Sequence, residues 1–329
     1  MLRLPPFEYL SPHTVVEAVA MLSERGAEAM IVAGGTDLFP NMKRRQFEPK
    51  SLVSLRAIAE LQRVTGDADS GLTIGAGVTL AQVSRPPVIA QSYPALARAA
   101  GDVSTSQLRN TGTIGGNLCL DTRCNYYNQT YHWRKSIGFC MKKDGDICLV
   151  APGGSRCWAA SSSDTAPVMI ALGASVRLIG PRGERVIPVD ELYRDDGKDH
   201  LTKAADEILT EILIPPANGL RSVYLKLRRR GSFDFPILGV AVALRLAGDG
   251  ACAYAKVVLG AVGSRPVVVP QAESILIGNR ITPESVESVA QAAARLAKPM
   301  DNTDSVLSYR KKMAHVFTAR ALKEAAGLP

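Results

Sequence analysis

Hydrophobic residues recur at helical spacing near the start of the chain and then give way to a short apolar run. Val15, Val19 and Leu22 would share one face of a helix, and Ser11 before them is a typical N-cap residue. The run at residues 30–33 is continuous and apolar, which is typical of a buried strand. The pattern therefore predicts a helix followed by a strand in this part of the chain.

Two longer stretches follow, and each combines strands with helices. Apolar or alternating runs predict strands, whereas apolar positions three and four apart predict helices. Because strands come before helices in the last stretch, the order favours an α+β fold over a doubly wound parallel sheet. The predicted segments are 1–55, 56–215 and 216–329, with strands at 52–55, 72–77, 174–178, 184–189, 222–227, 240–246 and 254–262 and helices at 80–83, 93–100, 166–172, 282–297 and 305–325.

The composition is that of a globular protein and disfavours several classes. Of the 329 residues, 46% are hydrophobic and 21% are charged, and the net charge is +8. The basic residues form short, scattered clusters without interleaved aromatics, so we expect no nucleic-acid partner. No apolar run is long enough to span a membrane, and no secretory signal is visible. We therefore expect no membrane association and a cytoplasmic location.

Two glycine pairs are the clearest candidates for ligand binding. Residues 33–37 read Ala-Gly-Gly-Thr-Asp after a predicted strand, and residues 113–117 read Thr-Ile-Gly-Gly-Asn. Each pair alone most often forms a plain turn. Glycines let the backbone approach a ligand closely, and successive N–H groups form a concave nest for anionic oxygens. Together the two pairs could clamp both phosphates of a pyrophosphate.

Five of the six cysteines fall within 39 residues. In a cytosolic chain such a cluster indicates metal binding or catalysis more often than disulfides. The spacing contains no close pair of the kind usual in zinc sites, whereas an iron–sulfur cluster held by four thiolates fits the count. Structural zinc and disulfides remain alternatives at this point. Cys119 follows the second glycine pair and Cys252 lies in an apolar strand, so the candidate metal ligands are Cys124, Cys140, Cys148 and Cys157.

The glycine pairs, with Ser163-Asp164 before an apolar helix and Tyr224-Leu225-Lys226 in the last segment, resemble the flavin-binding subunits of the molybdenum hydroxylase family. The resemblance covers nearly the whole chain except residues 122–161. It implies a PCMH-type, vanillyl-alcohol oxidase-like FAD-binding domain of two subdomains. These would be residues 1–55 and 56–215, followed by a C-terminal α+β domain at residues 216–329.

The resemblance also implies which residues contact FAD. Residues 31–38 would line the pyrophosphate and ribityl chain, and residues 113–117 would hold the pyrophosphate from the other side. Asp164 would accept a hydrogen bond from a sugar hydroxyl, and Lys226 would lie near the flavin unless it forms an ion pair on its strand. The implied contacts are Ile31, Val32, Ala33, Gly34, Gly35, Thr36, Asp37, Leu38, Val103, Thr113, Ile114, Gly115, Gly116, Asn117, Asp164, Leu209 and Lys226.

Residues 122–161 form an insertion relative to that family. Ordering a residue costs about 1–2 kcal/mol for the backbone alone, and a metal centre bound by four thiolates would offset that cost. A Cys-rich insertion at this point resembles the flavin subunit of 4-hydroxybenzoyl-CoA reductase. This resemblance implies a 4Fe–4S cluster on the four cysteines.

The same resemblance implies an electron relay in aromatic degradation, the reductive removal of a phenolic hydroxyl. Electrons would pass from ferredoxin to 4Fe–4S, to FAD, and on to the partner subunits with 2Fe–2S clusters and molybdenum. The complex would be a heterotrimer that dimerises, and this chain would supply no catalytic residue. Two basic pairs of the insertion, residues 134–135 and 142–143, would suit an acidic ferredoxin.

Two alternatives remain open from the sequence. The chain could be the FAD subunit of an oxidative molybdenum hydroxylase whose insertion holds structural zinc. It could also be a non-catalytic assembly subunit that has lost its flavin, although the intact glycine pairs argue against that.

Overall fold

Three β-sheets, each from a separate stretch of the chain, organise the computed structural model, which describes residues 2–329. The first sheet is parallel, and its apolar face is covered by the first helix. It contains β1 (Glu8–Leu10), β2 (Ala29–Val32) and β3 (Ser51–Ser54) in the order β1-β3-β2. Its connections carry α1 (Val15–Arg25) and α2 (Leu38–Lys43).

Helix α1 begins later than the sequence predicts. Its N-cap is Thr14, whose hydroxyl accepts a hydrogen bond from the Glu17 N–H at 3.1 Å. The prediction of Ser11 as the cap is therefore wrong, because Thr14 satisfies the free donors of the first turn. The predicted apolar face of α1 is buried, from Val15 to Leu22.

The second sheet is antiparallel, and the largest hydrophobic core packs between it and the surrounding helices. Its strands are β4 (Val64–Asp67), β5 (Gly71–Gly75), β6 (Ser175–Gly180), β7 (Gly183–Pro188) and β8 (Ile208–Ile214), in the order β4-β5-β8-β6-β7. The helices of this segment are α3 (Leu80–Ser84), α4 (Pro87–Ser92), α5 (Pro94–Asp102), α6 (Ser106–Arg109), α7 (Ile114–Leu118), α8 (Tyr131–Ser136) and α9 (Thr165–Ala171).

The insertion at residues 122–161 leaves the second subdomain after α7 and returns before α9. An antiparallel bridge between Arg123 and Ala160 closes its base, and α8 is its one helix. The Gln46 amide donates to the Tyr127 carbonyl at 2.5 Å, so the insertion contacts the first segment. A hydrogen bond of 2.8 Å from the Asn125 N–H to a carbonyl of the last segment, at residue 302, fixes its other side.

The third sheet is antiparallel and is backed by long helices with their own hydrophobic core. Its strands are β9 (Arg221–Leu227), β10 (Leu238–Leu246), β11 (Cys252–Gly260) and β12 (Val267–Val268), in the order β12-β11-β10-β9. The helices are α10 (Gln271–Leu276), α11 (Pro283–Leu296) and α12 (Leu307–Ala326). Thr282 caps α11, as its position before Pro283 indicates.

The α+β class predicted from the sequence is confirmed, and the predicted strands and long helices lie within a few residues of the observed ones. The sequence analysis missed the seven-residue strand β8. It also missed short elements in which few residues can show a hydrophobic period, namely β1, β4, β12, α2, α4, α6, α7, α8 and α10. The three sheets fall in the three predicted segments, whose boundaries remain a prediction. Among the described residues, no helix is both long and apolar enough to cross a membrane.

Candidate functional site

The first glycine pair forms a tight loop between β2 and α2. A Cβ on Gly34 would lie 2.1 Å from the Thr111 carbonyl oxygen, so that position has no room for a side chain. Gly35 has a φ of +69°, which favours glycine, and a Cβ there would meet the Phe39 ring. Both glycines are therefore required by the backbone path and not only by a ligand.

This loop also presents unused hydrogen-bond donors. Within residues 2–329, the N–H groups of Gly34, Gly35, Thr36 and Asp37 donate to no protein acceptor. Successive unpaired N–H groups in a loop of this kind form a nest that binds anionic oxygens. The loop can therefore hold the phosphate oxygens that the sequence analysis assigns to it.

The second glycine pair differs, because its backbone donors are already used inside the protein. The N–H groups of Ile114 and Gly115 donate to carbonyls of residues 78 and 76 at 2.9 Å, and that of Gly116 donates to the Thr113 hydroxyl at 3.1 Å. A Cβ on Gly115 would lie 2.6 Å from the side chain of Ala76. This loop is therefore a packed support beside the first loop.

The two loops are in direct contact. Gly34 packs against Thr111, and a Cβ on Gly112 would lie 3.3 Å from the Thr36 hydroxyl. The first loop therefore packs against residues 111–112, which come directly before the second glycine pair. This arrangement brings together two predicted groups of residues that are about 80 positions apart in the sequence.

Asn117 ties this surface to the chain that follows the insertion. Its side-chain oxygen accepts hydrogen bonds from the Ser163 hydroxyl at 2.9 Å and from the Thr165 hydroxyl at 2.6 Å. Asn117 precedes residues 122–161, and Ser163 and Thr165 follow them. These hydrogen bonds therefore join the chain before the insertion to the chain after it.

Asp164 sits in a buried network with two donors from β9. Its carboxylate accepts hydrogen bonds from the Tyr224 hydroxyl at 2.7 Å and from the Lys226 ammonium at 2.9 Å. Burial raises the pKa of Asp164, while the charge of Lys226 opposes the rise. Lys226 thus forms the ion pair that was its alternative role, and both oxygens of Asp164 already have protein donors.

The two apolar residues assigned to the flavin rings, Val103 and Leu209, lie on different elements. Val103 follows Asp102, whose carbonyl accepts a hydrogen bond from Lys226 at 3.0 Å. Leu209 is buried on β8. The carbonyl of the next residue, Thr210, accepts a hydrogen bond from the Ala76 N–H, and the Ala76 carbonyl accepts one from the Gly115 N–H of the second loop. Their contact with FAD remains a prediction.

Arg123 is a residue of the site that the sequence analysis missed. Its guanidinium forms an ion pair with Asp37 of the first loop and stacks over the Phe235 ring at 4.4 Å. It is buried and lies at the base of the insertion, next to Cys124. Asp37 and Arg123 are 86 positions apart, so no local pattern could have indicated the pair.

The four candidate metal ligands converge in the insertion. Cys124, Cys140, Cys148 and Cys157 are all buried and line one small cavity of about 10 Å³. The other lining side chains are apolar or aromatic, apart from Lys142. Cys119 does not line the cavity. Cys252 is buried in β11, as predicted.

Burial keeps the thiols of Cys124 and Cys157 protonated. Burial raises the pKa of Cys124 to about 12 and that of Cys157 to about 11. A bound metal binds the thiolate form and displaces those protons. In the part of the chain that the structure describes, no three His, Cys, Asp or Glu side chains are arranged to hold a single metal ion.

The proposed basic docking surface of the insertion is not supported by the structure. Arg134 is buried and donates to the Arg44 and Arg45 carbonyls at 3.2 and 2.9 Å. Lys142 is also buried and forms an ion pair with Asp121 at 2.7 Å. Charge in the sequence does not reveal burial, and these two cations hold the insertion in place.

Comparison with known proteins gives matches over nearly the whole chain. Residues 5–217 match the family model of the FAD binding domain in molybdopterin dehydrogenase, and residues 222–325 match the CO dehydrogenase flavoprotein C-terminal domain. The carbon monoxide dehydrogenase medium chain of Hydrogenophaga pseudoflava is 30% identical, covering 98% of this chain and 97% of its own. The nicotinate dehydrogenase FAD-subunit of Eubacterium barkeri is 28% identical, over 86% and 83%.

A solved structure of carbon monoxide dehydrogenase from Hydrogenophaga pseudoflava has the same fold. The two structures superpose with a TM-score of 0.81 at 28% sequence identity, and the match covers 99% of each chain. The prediction of a PCMH-type FAD-binding domain followed by a C-terminal domain is confirmed by these matches.

We expect Gly34→Ala to lower bound FAD at least tenfold, because the new methyl group would displace the loop that carries the free N–H groups. The control is Gly248→Ala, since that glycine has open space around it. Flavin absorbance per purified chain measures the effect. Full flavin content in folded Gly34→Ala would contradict the role assigned to the loop.

We expect Lys226→Met to destabilise the protein by about 3–5 kcal/mol, because the Asp164 charge would be left buried without its partner. The matched control is Arg229→Met, which breaks an exposed ion pair with Asp304 worth at most about 1 kcal/mol. Thermal unfolding followed by circular dichroism measures both. Adding Asp164→Asn to Lys226→Met should restore most of the lost stability. Equal melting temperatures for Lys226→Met and Arg229→Met would contradict the prediction.

Proposed function

This chain belongs to the family of FAD-binding subunits of molybdopterin dehydrogenases, and we propose that it carries electrons through FAD in an oxidative, molybdenum-containing dehydrogenase or hydroxylase. The observation that carries the proposal is the loop at residues 34–37, whose free N–H groups suit a pyrophosphate. FAD, when bound, accepts and releases one or two electrons.

The chain's own residues would bind and orient that cofactor. The N–H groups of Gly34, Gly35 and Thr36 would hold the pyrophosphate, with the second glycine loop as a rigid support. The buried pair of Lys226 and Asp164 would place a fixed charge pair near the ring system. This free nest also argues against an assembly subunit that has lost its flavin.

The direction of electron flow is proposed from the relatives. Those named above are dehydrogenases for carbon monoxide and nicotinate, and a nicotine 6-hydroxylase medium subunit is 27% identical over 98% of this chain. All three names describe oxidations. By this analogy, the partners are subunits that carry molybdenum and 2Fe–2S clusters, and electrons leave the molybdenum site through FAD.

We further propose that the cysteine cavity holds a 4Fe–4S cluster. Four buried thiols face one space, which is the ligand set that such clusters use. The sequence lacks the closely spaced cysteine pairs that are usual in zinc sites, and this favours a cluster over a single zinc ion.

A 4-hydroxybenzoyl-CoA reductase driven by ferredoxin is the second candidate function. The cysteine cavity favours it, because an additional one-electron centre next to the flavin domain could be the entry point for low-potential electrons. The insertion offers few exposed cations for such a donor, since Arg134 and Lys142 are buried.

We expect the purified chain to contain about four irons under anaerobic conditions, and Cys148→Ser to lose them, because one of four thiolate ligands is removed. The control is Cys252→Ser, a buried cysteine outside the cavity. Elemental analysis with EPR after dithionite reduction measures the content. One zinc per chain would support a structural site, and a chain without metal would make the insertion purely architectural.

We expect the midpoint potential of the cluster to lie at or above that of FAD, because electrons leave an oxidative complex downhill. A redox titration that follows the cluster by EPR and FAD by its absorbance measures both in one sample. A cluster potential well below that of FAD would instead favour the reductase, in which electrons enter at the cluster.

A further inference from the structure

Asp37 places a carboxylate beside the N–H groups that would hold the FAD pyrophosphate. Its own N–H is one of the donors of residues 34–37 that have no protein acceptor within the described chain. Asp37 is also the N-cap residue of α2, yet its side chain makes no capping hydrogen bond. A carboxylate next to an anion site repels the anion unless a cation offsets its charge. A positive charge beside Asp37 would therefore favour phosphate binding by this loop.

The guanidinium of Arg123 supplies that charge. It forms an ion pair with one oxygen of Asp37 and donates to the side-chain oxygen of Asn41 at 3.4 Å. Asn41, which is buried on α2, donates in turn to the other oxygen of Asp37 at 3.2 Å. An arginine side chain stays protonated in proteins. The carboxylate is therefore held at both oxygens, and its charge is offset by a full positive charge.

Arg123 is fixed in place from two sides. Its side chain is 10% exposed, and its guanidinium lies 4.4 Å from the centre of the Phe235 ring. Its main chain bridges to Ala160, because each of the two N–H groups donates to the other residue's carbonyl at 2.8 Å. That bridge uses only main-chain atoms. A substitution at Arg123 therefore removes the charge and leaves the base of the insertion its own hydrogen bonds.

We propose that Arg123 is a positioning residue for FAD, which offsets the charge of Asp37 and holds it so that residues 34–37 can bind the pyrophosphate. This inference rests on the proposed function, in that the loop must hold FAD. Arg123 acts through Asp37 and requires no contact with the cofactor. Because Arg123 belongs to residues 122–161, the insertion takes part in flavin binding whatever its cysteines hold.

The test measures the dissociation constant of FAD from the full chain, which is stripped of flavin and titrated with FAD while flavin fluorescence is followed. In Arg123→Met we expect the constant to rise about tenfold, because Asp37 then repels the phosphates. The rise should shrink at high salt, since the Asp37 side chain is 28% exposed and salt screens its charge. Arg123→Lys keeps the charge and should keep most of the affinity.

The matched control is Arg156→Met. Arg156 belongs to the same insertion, pairs with Asp195 at 2.6 Å and stacks over the Trp158 ring at 3.8 Å, as Arg123 does with Asp37 and Phe235. Its ion pair involves no residue of the glycine loop. Arg156→Met should therefore leave the dissociation constant of FAD unchanged.

Removing the carboxylate separates charge compensation from a purely structural role. Adding Asp37→Asn to Arg123→Met should restore FAD binding to near the wild-type level, because the repulsion is gone, whereas lost packing would stay lost. Asp37→Asn alone decides the question if Arg123→Met fails to fold. The charge of Arg123 is then unopposed, so the dissociation constant should fall.

Four results would overturn the inference. They are an unchanged constant in Arg123→Met, a rise that salt does not reduce, no rescue in the double variant, and an unchanged or higher constant in Asp37→Asn. A wild-type chain that binds no FAD would instead overturn the proposed function.

Discussion

The contact between Gly34 and the Thr111 carbonyl is the constraint on which the first glycine loop depends. A side chain at Gly34 would overlap that carbonyl, so the first subdomain can reach the second only with glycine there. The close approach sets the two glycine loops side by side and leaves the N–H groups of residues 34–37 without protein acceptors. One packing requirement therefore shapes both the contact between the first two segments and the loop that carries the free N–H groups.

Buried charge pairs then hold distant segments around this junction. Lys226 of the third sheet pairs with Asp164 of the second segment, and Arg123 of the insertion pairs with Asp37 of the first loop. Such pairs contribute little net stability when compared with apolar packing, but losing one partner is costly. They therefore make the relative placement of the segments specific, and Arg123 connects the first glycine loop to Cys124, its neighbour in the chain.

Buried cations of the insertion donate hydrogen bonds to main-chain carbonyls of the flanking segments. Arg134 donates to carbonyls of the first segment, and Lys142 donates to the Gly197 carbonyl of the second. From the sequence, the basic pairs that contain these two residues predict a docking surface for an acidic partner, because a basic pair in a loop is usually solvated. The same side chains instead neutralise buried acceptors and fix the walls of a cavity lined with four thiols.

The sequence by itself determined the α+β class, the long elements such as α11 with its Thr282 cap, the two glycine pairs and the four cysteines as a group. These follow from local periodicity, backbone freedom and residue chemistry, which are readable within a few residues. The tertiary structure alone decided which glycine loop keeps free donors, that Lys226 pairs with Asp164, and that Lys142 pairs with Asp121. Those outcomes depend on hydrogen bonds and close approaches between segments many residues apart, which leave no periodic signal in the chain.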